Sequence, residues 1–218
     1  MAELCGKTVE PDLLPFRHFI VDDLWEAELL TSVLDEFPDD SDDRWIRYES
    51  ADTEEKLEGP EMMFGPTTRR LVRMIAEIGP SLSSVFDMPP LRLSTEGGGY
   101  HQTNPGGGLA VHADFNRSED GLYRRANVII YLNRPDKPVE GGELQLWDLD
   151  GPRKYVVPQF NRTLVFETSD HSFHGHPEPL RGVHPRRSFA AYFFSVEQPV
   201  GYSEEHSTIW HPRGMRTP

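Results

Sequence analysis

The sequence predicts a mainly β protein of the α+β class, in which helices pack on one face of a small antiparallel barrel or sandwich. Two observations support this prediction. Before Pro90, two stretches carry apolar residues at helical spacing; after it, short apolar segments alternate with Gly, Pro, Asn and Asp. The 218 residues suit one domain, with N-terminal support over 1–89, a β core over 90–196 and a tail over 197–218.

The N-terminal part is expected to supply two helices. Residues 15–38 predict a short strand, a turn and a helix that Asp22 and Asp23 cap, because Leu24, Ala27, Leu30 and later apolar residues recur at helical spacing. A second helix is expected over 67–78, where Gly79 and Pro80 end it.

The segment between the predicted helices is strongly acidic. Residues 39–60 contain nine acidic and three basic side chains and show no helical or strand period, which predicts an exposed loop. Trp45 and Tyr48 within it either anchor the loop to the body of the protein or form part of a lid.

The remainder predicts the strands of the barrel or sandwich. In chain order the segments are LRLSTE, GGYHQT, GLAVHAD, ANVIIYLN, GELQLWD, KYVV, RTLVFET, HSFHGH and SFAAYFFS.

Composition excludes several classes of function. A net charge of −14 disfavours nucleic-acid binding, and no apolar run approaches the about 20 residues that a membrane span needs. Cys5 is the only cysteine, so intramolecular disulfides and cysteine-based zinc sites are excluded. Since no secretory signal is visible, a cytoplasmic location is expected.

Histidines in the β-rich part indicate a metal site. His112 and Asp114 are two residues apart in a predicted strand, so both project from the same face. His171, His174 and His176 follow a later strand and supply candidates for a third ligand. Two histidines and one carboxylate form the facial triad of non-haem Fe(II) enzymes, and zinc is the main competing metal.

Two arginines open the last predicted strand. Arg186 and Arg187 precede a run that is otherwise apolar, and a buried guanidinium requires an anion. That anion is either a bound ligand or an internal carboxylate, unless the arginine lies at an exposed strand end.

Together these motifs resemble the prolyl 4-hydroxylase-like branch of the 2-oxoglutarate/Fe(II) dioxygenases over about residues 90–196. The resemblance rests on the order His112-x-Asp114, Ile129-Ile130-Tyr131-Leu132-Asn133, Gly141-Gly142-Glu143-Leu144, Ser169-Asp170-x-x-x-His174 and Arg186-x-Ser188. It implies a double-stranded β-helix, or jelly roll, with flanking N-terminal helices. It also implies Fe(II) and O2, 2-oxoglutarate as cosubstrate, and a possible requirement for ascorbate.

The resemblance also implies roles for particular residues. His112, Asp114 and His174 match the iron ligands. Arg186 matches the arginine that binds the distal carboxylate of 2-oxoglutarate. The remaining matched pocket positions are Tyr131, Ser188, Asn127 and Leu144. His176 is the alternative to His174 as the second histidine ligand, and the spacing from Ser169-Asp170 favours His174. Arg187 is the alternative to Arg186, and Arg186 is favoured because it shares a strand face with Ser188 and Tyr192.

The expected reaction is hydroxylation of an unactivated C–H bond, with release of succinate and CO2. A small metabolite or natural-product intermediate is the favoured substrate, because nothing outside the core resembles a docking module. A peptidyl hydroxylase, and a cupin-like binding protein without oxygenase activity, are the alternatives. Arg117, Arg124, Arg125 and Arg134 flank the metal-bearing strand and its successor; they are either solvated rim charges or contacts to an anionic substrate group.

Overall fold

A computed structural model describes residues 2–202 and 204–216. Its strands are β1 Ala2–Leu4, β2 Lys7–Val9, β3 His18–Asp22, β4 Ile46–Ser50, β5 Glu54–Gly59, β6 Arg92–Thr103, β7 Gly108–Ala113, β8 Tyr123–Tyr131, β9 Leu144–Asp148, β10 Gly151–Val156, β11 Arg162–Glu167, β12 Phe173–His176, β13 Arg186–Ser195 and β14 Ile209–Trp210. The helices are α1 Ala27–Asp35, α2 Pro66–Glu77 and α3 Gly79–Phe86, with a 3₁₀ turn at Glu61–Met63.

Twelve of these strands form one antiparallel sheet. Its order is β10-β9-β12-β7-β5-β6-β13-β8-β11-β3, with β14 on β7 and β4 on β5. Leu144 and Leu146 of β9 pack in one cluster with Ile129 and Tyr131 of β8. Strands β9 and β8 are far apart in the strand order of the sheet. The sheet is therefore curled into two facing layers, which confirms the predicted jelly roll.

The central strands are apolar on both faces because each face is covered. Along β8, Val128 and Ile130 pack into the helix-side core, whereas Ile129 and Tyr131 pack between the two layers. This alternation follows from the two-residue period of a strand. It places the side chains of one parity in the interior of the jelly roll, where the functional site lies.

The three helices cover the outer face of the β8–β13 layer. Leu30, Leu71 and Leu82 of α1, α2 and α3 are fully buried in the same cluster as Phe193 of β13. Two helices match the predicted ones, but α3 was not predicted, because Gly79-Pro80 separates two helices instead of ending the helical region. Pro80 lies in the first turn of α3, where its missing N–H costs no helical hydrogen bond.

Two local predictions are wrong. Glu26, not Asp22 or Asp23, precedes α1, and no side chain caps that helix. Residues 39–60 are not one exposed loop, since they contain the hairpin of β4 and β5, and β5 lies between β6 and β7 in the sheet. Trp45 is buried and packs 5.8 Å from Phe37, so it anchors this segment to the body of the protein.

The predicted C-terminal tail folds back onto the jelly roll. Strand β14 pairs with β7, with Trp210 opposite His112. Arg216 donates hydrogen bonds to the Ser50 carbonyl oxygen at 3.2 Å and to Glu55 Oε2 at 3.0 Å. This segment therefore supports the strand that carries the first histidine of the site. None of the described helices is long and apolar enough to cross a membrane.

Candidate metal centre and cosubstrate cavity

Three side chains from two neighbouring strands converge inside the jelly roll. His112 lies on β7 and Asp114 directly after it, and His174 of β12 pairs with His112 across the sheet. One potential ligand atom from each lies within 4.8 Å of the others. Asp114 Oδ1 is 3.5 Å from His112 Nε2, and Asp114 Oδ2 is 3.6 Å from His174 Nε2. This spacing suits three ligands of a single metal ion.

Backbone carbonyl groups orient both imidazole rings. His112 Nδ1 donates to the Ala110 carbonyl oxygen at 2.9 Å, and His174 Nδ1 donates to the Ser172 carbonyl oxygen at 3.0 Å. Both Nε2 lone pairs therefore face the cluster. Burial, which outweighs the nearby Asp114 carboxylate, lowers the pKa of His174 to about 4, so this ring is neutral and able to bind a metal at neutral pH.

Two further side chains, Asn127 and Arg124, contact the carboxylate of Asp114. Asp114 Oδ2 accepts a hydrogen bond from Asn127 Nδ2 at 2.7 Å and lies 3.2 Å from Arg124 Nη2. Burial would raise the pKa of Asp114, but Arg124 and the two histidines together hold it well below its usual range. Asp114 is therefore an anion whose orientation is fixed by Asn127 and Arg124.

Arg124 is a buried part of the site whose contact with Asp114 the sequence did not predict. Its guanidinium carbon lies 3.6 Å from the ring centre of Tyr192 and 4.5 Å from that of Phe115. Of the two interpretations of these arginines, burial excludes a solvated rim charge for Arg124 and Arg125. Arg117 and Arg134 are rim residues, paired with Glu205 and Asp136.

The structure separates the two competing histidines. His174 lies in the cluster, whereas His176 is two residues further along β12 and is not among the ligands that converge in the described residues. A side chain at Gly175 would lie 2.7 Å from the Ala110 carbonyl oxygen, so β12 and β7 approach closely between these histidines. His171, the third candidate, is exposed.

A cavity leads from the cluster to Arg186. We call it the inner cavity; among its lining residues are His112, Asp114, His174, Asn127, Leu144, Arg186 and Ser188. Arg186 is 5% exposed, and its Nε donates to the Gly142 carbonyl oxygen at 3.0 Å. It forms no ion pair with a carboxylate of the described residues, although burial of a cation is costly without one.

Tyr131 lies beside this arginine. The Arg186 guanidinium carbon is 5.0 Å from the Tyr131 ring centre, and the buried Tyr131 hydroxyl interacts with this guanidinium but has no other hydrogen-bond partner among the described residues. Ser188 Oγ is 3.4 Å from Arg186 Nη1. An unpaired cation with two hydroxyl groups at the end of a cavity suits one carboxylate of a dicarboxylic ligand.

Arg187 projects from the opposite face of β13. Its Nε donates to Gln102 Oε1 at 2.7 Å, and its guanidinium lies 4.8 Å from the Phe37 ring centre. The alternation of β13 therefore places Arg186, and not Arg187, in the inner cavity.

Three further residues of the inner cavity come from β5 and β6. Lys56 lies over the ring of Tyr48 at 4.9 Å, and Thr103 and His101 line the wall. His101 Nε2 and His176 Nδ1 are buried without hydrogen-bond partners among the described residues. Burial holds the pKa of both rings well below the ordinary value, so both are neutral. Lys56 was not indicated by the sequence, because it lay in the segment predicted to be an exposed loop.

The donor set fits iron. Two imidazole nitrogens and one carboxylate oxygen on one side leave the other coordination positions free, as in the facial triad. A structural zinc site would instead enclose the metal with four protein ligands.

Residues 98–194 match the family model of the 2OG-Fe(II) oxygenase superfamily. A prolyl 4-hydroxylase from Pseudomonas putida has a similar structure, with 15% identity and a TM-score of 0.62 over 83% of this chain and 93% of that one. The epimerase SnoN of nogalamycin biosynthesis, described as non-haem and α-ketoglutarate-dependent, has 16% identity and a TM-score of 0.60 over 85% and 80%.

A prolyl hydroxylase from Trichoplax adhaerens, solved with a peptide fragment of hypoxia inducible factor, has 17% identity and a TM-score of 0.56 over 86% and 87%. No curated protein is similar enough to count as a match. The matched segment 98–194 contains the three clustered side chains and Arg186.

Proposed function

We propose that this enzyme, a member of the 2OG-Fe(II) oxygenase superfamily through residues 98–194, hydroxylates an unactivated C–H bond of a small metabolite or natural-product intermediate. The reaction releases succinate and CO2 from 2-oxoglutarate. The observation that carries the proposal is the convergence of His112, Asp114 and His174 within 4.8 Å at one end of a cavity whose other end holds an unpaired Arg186.

Each of the three clustered residues receives one role. His112 and His174 bind iron through Nε2, because their Nδ1 atoms already donate to backbone carbonyls. Asp114 supplies the anionic ligand, and Asn127 and Arg124 hold its orientation. Bound iron supplies the redox chemistry that couples O2 and 2-oxoglutarate to substrate oxidation.

The cosubstrate is positioned by the far end of the inner cavity. Arg186 pairs with the distal carboxylate of 2-oxoglutarate, and the hydroxyl groups of Tyr131 and Ser188 donate hydrogen bonds to it. Leu144 and Ile129 form apolar parts of the wall and exclude water. Lys56 lines the same cavity, with its ammonium group 3.3 Å from Glu54 Oε2.

The primary substrate enters from the opposite side of Asp114. A second cavity of about 210 Å³, which we call the side cavity, is lined by Asp114, Arg124, Arg125, Thr168, Asp170 and Tyr202, among other residues. Its size is below that of typical pockets for drug-sized ligands and suits a compact molecule better than an extended chain. A compact metabolite fits this volume, and so would the single side chain that a peptidyl hydroxylase inserts; the substrate panel below separates the two.

Anaerobic titration of the protein with Fe(II) and 2-oxoglutarate tests the cofactor part of the proposal. A visible metal-to-ligand charge-transfer band is expected, and Asp114→Ala should abolish it. Absence of the band in the wild-type protein at saturating ligand would favour a cupin-like binding protein instead. Exposed His171→Ala is the matched control for loss of a histidine.

A substrate panel tests the rest. Succinate formation should rise above the uncoupled rate with a subset of small metabolites, and product analysis should show a gain of one oxygen atom. Stimulation by proline-containing peptides alone would replace this proposal with the peptidyl hydroxylase.

A further inference from the structure

The side cavity contains a buried cation for which the proposed reaction has no use. Arg125 is 8% exposed and lies at a β-bulge, where β13 pairs with Arg124 and Ala126 but omits Arg125. Its Nη1 donates to Ser195 Oγ at 3.1 Å, and that hydroxyl donates to the Glu197 carbonyl oxygen at 2.7 Å. The other two guanidinium nitrogens form no hydrogen bond with the described residues.

The Glu167 and Glu197 carboxylates favour the charge of this arginine from a distance, but neither forms an ion pair with it. Glu167 is bound by Arg17 through two hydrogen bonds, Nε to Oε2 at 2.5 Å and Nη2 to Oε1 at 2.8 Å. Asp170 accepts from His206 Nε2 at 3.0 Å, and Asp114 faces Arg124. Arg125 forms no ion pair within 4.0 Å in the part of the chain that the structure describes.

A hydroxyl group without a partner lies in the same cavity. Thr168 Oγ1 is buried and forms no hydrogen bond with the described residues, while the Thr168 backbone N–H donates to the Arg125 carbonyl oxygen at 2.9 Å. The Thr168 hydroxyl group lacks a partner, and two of the three Arg125 guanidinium nitrogens form no hydrogen bond with the described residues, so an oxyanion in the side cavity would bind both groups at once.

We propose that the side cavity binds an oxyanionic group of the primary substrate, a carboxylate or a phosphate, through Arg125 and Thr168. This inference rests on the proposed function and narrows its substrate class. Asp114 lines both cavities, so a molecule held at Arg125 extends toward the metal cluster from the side opposite to Arg186. The substrate is thus a small anion despite the net charge of −14.

Binding is tested first without turnover. The protein, loaded with Zn(II) in place of iron and saturated with 2-oxoglutarate so that Arg186 is occupied, is titrated with acetate or methyl phosphate. Arginine Nε–H resonances are followed by NMR. The Arg125 resonance should shift with saturation, and the resonances of Arg117 and Arg134 should shift only slightly and linearly. An Arg125 shift no larger than theirs overturns the proposal, and the stronger of the two probes identifies the group.

Turnover is tested with pairs of compounds that differ only in charge, such as an acid and its amide or a phosphate ester and its alcohol. Only the anionic members should stimulate succinate formation. Arg125→Gln should raise their half-saturating concentration by about 10- to 100-fold, the range expected for loss of charge-assisted hydrogen bonds. Arg125→Lys should recover part of this loss, and Arg117→Gln should leave it unchanged. Equal stimulation by the neutral members overturns the inference.

The two proposals fail in different ways. If Zn(II) and 2-oxoglutarate do not bind, the proposed function fails, whereas a saturating Arg125 shift still supports the anion site. If succinate forms and Arg125 does not respond to either anion, the anion site fails and the oxygenase remains.

Discussion

At the scale of single residues, the candidate metal site depends on whether His174 or His176 of β12 faces Asp114. His174 Nε2 lies 3.6 Å from Asp114 Oδ2, whereas His176 lies outside the cluster. His174→Ala should weaken anaerobic Fe(II) binding by more than about 100-fold, since loss of even a ligand's hydrogen-bond partner costs about 10- to 100-fold. His176→Ala should weaken it less than tenfold. Isothermal titration with Fe(II) measures both, and the reverse order would place the metal elsewhere.

The fluorescence of Trp210 should respond to metal binding at His112. Its ring centre lies 5.3 Å from that of His112. Binding of Co(II) at His112 should therefore quench tryptophan fluorescence, and Trp210→Phe should remove most of this change. Trp25→Phe is the control, because Trp25 hydrogen-bonds Thr163 on the far side of the β8–β11 layer. If Trp25→Phe removed the quenching instead, the metal would not be at His112.

The residues that could be predicted from the sequence are those whose geometry is local. His112 and Asp114 share a strand face through the two-residue period, and the same period joins Arg186 to Ser188. The burial of Arg124 and its contact with Asp114 were not predicted, because its partners Asp114 and Tyr192 come from other segments of the chain. A charged residue at the start of a strand carries no local sign of whether it is buried.

At the scale of elements, the N terminus of helix α2 is capped by a carboxylate from another part of the chain. Glu36 follows α1 and accepts hydrogen bonds from the backbone N–H groups of Thr67 at 2.7 Å and Thr68 at 2.8 Å. A side chain at Gly65 would collide with this carboxylate, at 2.4 Å from its carbon atom. Glu36 thus supplies the N-terminal cap that the residue before the helix does not.

Glu36→Gln should destabilise the protein by about 1 kcal/mol at pH 7, the usual range for a cap and a helix-end charge. Burial raises the pKa of Glu36, but the donors from Thr67 and Thr68 outweigh it and lower the pKa. The stabilisation is therefore present above the unfolded-state pKa and is lost as pH falls through the lower folded-state value. Urea unfolding across pH 3–7 measures the difference in free energy of unfolding between the wild-type protein and Glu36→Gln. Exposed Glu49→Gln is the control. A difference that does not change with pH would contradict the capping role of Glu36.

The β4–β5 hairpin shows why one element was not predictable. Glu54, Lys56 and Glu58 alternate with Glu55, Leu57 and Gly59, so charged residues occupy both faces and no apolar period is visible. The strand forms because β6 and β7 supply its hydrogen bonds, and its charges pair or face the inner cavity. Tertiary context thus overrides the local pattern.

At the scale of the whole molecule, ligand binding should raise the free energy of unfolding. The residues proposed to hold the metal and 2-oxoglutarate come together only in the folded protein, so both ligands are expected to bind the folded state alone. At a concentration about 100 times Kd, each ligand adds about 2.7 kcal/mol to the free energy of unfolding. For a domain of this size that corresponds to a rise in Tm of about 5–11 °C.

The two increments should separate by variant, because the proposed metal ligands and Arg186 are different residues of the inner cavity. In Arg186→Gln, Mn(II) should still raise Tm under anaerobic conditions, whereas 2-oxoglutarate should add little. In Arg187→Gln both increments should persist, since Arg187 binds Gln102 on the outer face of β13. Differential scanning calorimetry measures each step. Loss of the 2-oxoglutarate increment in Arg187→Gln alone would mean that the alternation of β13 is shifted by one residue, which would move Ser188 out of the cavity with Arg186.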